Sequence, residues 1–123
     1  MLEAYSLNQA VGANASIPFN NISIKKGCTA QLEGISSIEL NKAGVYMVAF
    51  DGVAGTSTTV QLYKNGVAQP QAQSTGTTLG FTTLVQVPQN NNCNCASSPT
   101  VISVDNETAA TFTNANIVVT KVC

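Results

Sequence analysis

Histidine and arginine are both absent from this 123-residue chain, and Asp, Glu and Lys together make up only 9 % of it. The absence of histidine removes the usual base for a serine or threonine nucleophile and leaves only thiolates for a structural zinc site. Five lysines form no basic stripe that could neutralise phosphates, so nucleic acid is excluded as a partner. No apolar run approaches the about 18 residues that span a bilayer, and Met1-Leu2-Glu3-Ala4 lacks the basic start and apolar stretch of a secretory signal. No membrane partner is expected, and the protein should stay in the cell that makes it or leave it by lysis or assembly. The six acids, Glu3, Glu33, Glu39, Asp51, Asp105 and Glu107, are scattered and sit mostly at turns. Acid–base catalysis needs paired groups in a cleft, so no catalytic residue, no cofactor and no enzymatic activity are predicted.

In place of charge the chain carries 13 Asn, 8 Gln, 14 Thr and 10 Ser, together 45 of its 123 residues. Such a surface is polar but contains few groups that titrate or that salt can screen. The hydrophobic fraction of 44 % excludes a disordered tail, and the length suits one domain with one core.

The stretch from Ile38 to Val67 organises the rest. Val45, Met47 and Ala49 alternate there with Tyr46, Val48 and Phe50, so a strand at this place is apolar on both faces. An antiparallel sheet normally meets water on one face. A chain this short covers one face with its own second sheet, and the other is expected to meet another copy of the protein. The pattern recurs where Ile117 and Val119 alternate with Val118 and Val122. Tyr46, Val48, Phe50, Tyr63, Ile117 and Val119 are the candidate interface residues. Alternation assigns most of Tyr46, Phe50, Tyr63, Phe81 and Phe112 to the core or to that interface rather than to a sugar-binding platform.

Asn65-Gly66 is the pair that a two-residue hairpin turn requires, because both central residues need positive φ. Residues 1–16 are small and polar and read as an N-terminal arm or edge segment ahead of a single domain over 17–123. Phe19, Ile22 and Ile24 are candidate core residues of the next region. Further strands are predicted at Ala30 to Leu32, Val60 to Tyr63, Phe81 to Val87, Val101 to Val104, Ala110 to Phe112 and Asn116 to Val122. Asp51 to Thr59, Gln69 to Thr78 and Gln89 to Pro99 read as polar loops. About eight to ten short strands without a helical period predict an all-β sandwich or jelly roll.

Cys28, Cys93, Cys95 and Cys123 do not match the spacing of a zinc knuckle, so no metal is assigned. They are disulfide partners or free thiols, and their spacing does not choose between the two.

Four segments carry a family resemblance: Ile17-Pro18-Phe19-Asn20, Ile38-Glu39-Leu40-Asn41-Lys42-Ala43-Gly44-Val45-Tyr46, Val60-Gln61-Leu62-Tyr63-Lys64-Asn65-Gly66, and Phe112-Thr113-Asn114-Ala115-Asn116-Ile117-Val118-Val119. They resemble the complement-C1q/tumour-necrosis-factor-like jelly rolls, with the microbial members of phage particles and collagen-like spore-surface proteins nearest in look. The resemblance implies a ten-stranded jelly roll that assembles as a homotrimer about a three-fold axis. No Gly-X-Y segment precedes the domain, which favours a capsid decoration or head-fibre protein of a bacteriophage virion with other virion or surface-layer proteins as partners. Two alternatives stand beside it: a trimeric module that binds a host glycan or receptor, and the terminal domain of a collagen-like protein on a bacterial spore or cell surface.

Overall fold

The computed structural model describes residues 1–27, 30–88 and 95–123, the side chains of 95–99 excepted. These residues form nine strands: β1 (Leu2–Val11), β2 (Ala15–Ser16), β3 (Asn21–Lys25), β4 (Ala30–Glu33), β5 (Ser37–Lys42), β6 (Gly44–Lys64), β7 (Val67–Val87), β8 (Cys95–Asn106) and β9 (Ala110–Lys121). Every pairing is antiparallel.

Two long strands create the sandwich. The first half of β6 pairs with β9 from Tyr46↔Lys121 to Ala54↔Phe112, whereas its second half pairs with β8 from Val60↔Asn106 to Lys64↔Ile102. Between them, register with β7 slips from Val53↔Thr78 to Thr58↔Gly76, and this bend carries β6 and β7 from one layer into the other. The first layer runs β3-β1-β9-β6-β7 and the second β4-β5-β8-β6-β7, with β2 added to β8. The antiparallel two-layer arrangement is the predicted all-β jelly roll.

Three sequence expectations need correction. Residues 1–16 are not a peripheral arm, because β1 lies between β3 and β9 and places Leu2, Ala4 and Val11 in the core. Ile22 and Ile24 are not core residues, since β3 is an edge strand exposed along its whole length. Asp51 to Thr59 and Gln69 to Thr78 lie inside β6 and β7 rather than in loops. Their polarity suits the strand bend and β7, which among the described residues pairs only with β6 and so tolerates solvent. The predicted loop at Gln89 to Pro99 lies outside the described residues up to 94, and from 95 onward its backbone belongs to β8.

The inner faces of both layers meet in one core. Phe19 crosses Phe50 edge-on, with ring centroids 6.2 Å apart at 77°, and Phe81 stacks on Phe50 at 5.5 Å. Tyr46 is fully buried and donates its hydroxyl to the Lys42 carbonyl at 2.8 Å, and burial pushes its phenol above the ordinary range. At the opposite end Asn106, also fully buried, ties three strands together. Its amide donates to the Thr108 carbonyl at 2.7 Å and to the Val11 carbonyl at 3.2 Å, while its oxygen accepts from the Thr58 hydroxyl. Buried amides are retained where each polar atom finds such a partner.

The hairpin between β6 and β7 has the predicted two-residue turn, with Asn65 at φ 50° and Gly66 at φ 81°. Asn65 also reaches across to β8, its N–H donating to the Val101 carbonyl at 2.8 Å and its Oδ1 accepting from the Val101 N–H at 2.9 Å. Gly44, at φ 143°, lets the C-terminus close over the start of β6: a Cβ there would stand 2.5 Å from the Cys123 carbonyl oxygen.

Candidate interaction surface

Alternation along each strand sorts the apolar residues into two sets. Tyr46, Val48, Phe50, Ile117 and Val119 point inward and are closed off by the second layer of the same chain. Their assignment to a subunit interface is therefore corrected: a side chain with no exposed surface in one chain has none to offer a second. Tyr63 is half-buried on the outward face of the second layer, so it belongs neither to the core nor with the other five.

The residues one step away along the strands face outward from the first layer. Val45, Met47 and Ala49 on β6 and Val118 on β9 are half-buried, while Leu84 and Leu7 are 60 % and 54 % exposed. Pairing brings them into rows. Met47 lies opposite Leu84, and Ala49 lies between Val118 and Thr82. Two rows further, beyond Tyr5, Asn116 and Asp51, Leu7 and Val53 flank Asn114. Among the paired positions of this face the only charges are Glu3 and Asp51, each within a row of uncharged neighbours. An exposed sheet face of this composition is adhesive toward a surface of like kind.

The outward face of the second layer differs. Gln31 and Glu39 pair across β4 and β5, and Gln61 and Asp105 pair across β6 and β8. Val101 and Tyr63 are the larger apolar side chains among them, each beside a polar neighbour. The two faces of the sandwich are chemically unlike, which period-two reading alone suggests but cannot assign to a side.

Cys28 and Cys93 lie outside the described residues, as does the Cys95 side chain. Cys123 is exposed and carries a free thiol. Among the described residues no three metal-ligating side chains gather, and no helix is long and apolar enough to cross a membrane.

No protein-family model and no curated protein matches the chain. Solved structures do. The globular domain of zebrafish complement 1qA protein superposes with a TM-score of 0.75 at 7 % identity, over 99 % of this chain and 96 % of that one. Murine APRIL, crystallised at pH 8.0, gives 0.63 at 11 % identity over 98 % of both chains. Rabbit GITRL gives 0.62 at 10 % identity, over 100 % of this chain and 95 % of that one. At such identities the shared property is the path of the backbone. From its first strand to its last, the chain has the C1q/TNF-like jelly-roll fold.

Proposed function

We propose that the protein is a non-catalytic homotrimeric module of a particle surface, of the capsid-decoration or head-fibre kind found on bacteriophage virions. The observation that carries the reading is the outward face of the first layer, where Met47 beside Leu84 and Ala49 beside Val118 form adjoining apolar pairs, with Leu7 and Val53 further along the same face. Domains of the C1q/TNF-like fold are typically non-catalytic and usually form homotrimers, and such assembly would cover this face. The work done is burial of apolar surface between copies, at about 25 cal/mol for each Å² removed from water. The polar, weakly charged second layer then faces outward, where it keeps the particle soluble over a wide range of salt.

Light scattering tests the assembly. The expected molar mass is three times the 12.7 kDa chain, and a stable monomer at micromolar concentration would overturn the reading. Mass spectrometry of particles purified from the producing culture tests the location. The chain should be present in stoichiometric amount, and its absence from particles would leave the virion assignment without support.

A further inference from the structure

A cleft of about 300 Å³ opens on the outward face of the second layer, lined by Asn14, Thr59, Gln61, Tyr63, Asp105 and Glu107. We propose that it is a binding site for one ring of a neutral saccharide. The floor is a two-strand lattice in which Gln61 lies opposite Asp105 and Tyr63 opposite Ser103. Side chains so paired stand about 5 Å apart at Cβ and point the same way. The walls are two turns. Asn14, in the left-handed conformation at φ 59°, comes from the turn between β1 and β2, and Glu107 comes from the turn after β8.

The polar groups are held ready rather than used up. Asp105 Oδ1 accepts from Ser16 Oγ at 2.7 Å and from Ser103 Oγ at 3.4 Å, which orients the carboxylate. Among the described residues no hydrogen bond engages Asp105 Oδ2, the Gln61 amide, the Tyr63 hydroxyl or the Glu107 carboxylate. Carboxylates accept from adjacent hydroxyls, amides both donate and accept, and a phenol ring offers a flat apolar face with a polar tip. A pyranose matches that set, because it carries neighbouring hydroxyls around an apolar C–H face. The volume is at the small end of ligand sites, enough for a ring and not for a chain.

Other ligand classes fit less well. Two carboxylates with no lysine in the lining repel anions, including phosphates and acidic sugars. A calcium ion wants six to eight oxygens close around it, and one oxygen of Asp105 is already taken by two serines. The cleft is on the layer opposite the apolar face, so it stays open whether the chain is one copy or three.

Methyl glycosides of glucose, galactose and mannose, titrated into the isotope-labelled full chain, are the probes. Amide shifts confined to Thr59 to Tyr63 and Asp105 to Glu107 are expected for at least one of them. Gln61→Ala and Tyr63→Ala should each weaken that binding by about tenfold, the loss expected for one well-placed contact, while Thr82→Ala on the first layer should not change it. The assignment is overturned if no glycoside moves these amides, if the shifts map elsewhere, or if calcium alone moves them. A chain that binds the glycoside as a monomer would overturn the trimeric reading and leave this one standing.

Discussion

Asn106 shows how much a single side chain can organise. Its amide and oxygen join the ends of β1 and β8 to the bend of β6 through the carbonyls of Val11 and Thr108 and the hydroxyl of Thr58. Replacing it with alanine would leave several buried polar atoms without partners, each costing about 1–3 kcal/mol. Asn106→Ala should therefore lower stability by about 3 kcal/mol, read as a shift of the urea midpoint at unchanged slope. Tyr46 makes a second residue-scale prediction, this time in pH. Its phenol titrates higher in the folded state than in the unfolded one, so its contribution is complete below about pH 10 and is lost as pH rises through the folded value. Tyr46→Phe should cost about 1 kcal/mol at pH 7 by leaving the Lys42 carbonyl without this donor. The variant should then lose less stability than the parent between pH 9 and pH 11, as measured by denaturant unfolding at each pH. An equal alkaline loss in both proteins would mean that Tyr46 does not titrate in the transition.

Among the elements, β6 matters most because it crosses both layers and pairs with β7, β8 and β9. Its first half presents Tyr46, Val48 and Phe50 to the core and Val45, Met47 and Ala49 to the outside. A shift by one residue exchanges those two sets. For that reason the apolar character of both faces was legible in the sequence, yet five of the six interface candidates named from it, all but Tyr63, fell on the buried face. The alternation also reverses within strands. In β1, Leu2, Ala4 and Ser6 face inward before Asn8, which has φ 52°, and Val11 faces inward after it. A left-handed Asn in mid-strand has no sequence marker that separates it from an Asn in a turn. The outward set can be tested through β7. Leu84 is well exposed in the single chain, so Leu84→Glu should leave its fold and circular dichroism unchanged. In the assembly it would bury a charge beside Met47, and the mass in light scattering should fall to that of one chain. A Leu84→Glu protein that remains trimeric would move the interface to another surface.

For the molecule as a whole, the scarcity of charge has a measurable consequence. With only 9 % charged residues, few ion pairs are available for salt to screen. The thermal midpoint should change by no more than about 2 °C between roughly 0.05 and 0.5 M sodium chloride. Raising the protein concentration should instead raise the midpoint, because association adds stability by mass action. A strong salt dependence, or a midpoint indifferent to concentration, would contradict assembly through an apolar face.

Local chemistry was enough to specify an all-β chain with a turn at Asn65-Gly66 and the alternation of Phe81, Thr83, Val85 and Val87, because φ preferences and period two act over a few residues. Which face of each strand lies inside, whether β1 is an arm or an inner strand, and how Tyr63, Asp105 and Asn14 come to line one cleft depend on pairings between positions far apart in the chain. Those were settled only when two layers closed on a shared core, since burial is a property of the assembled layers and of no strand by itself.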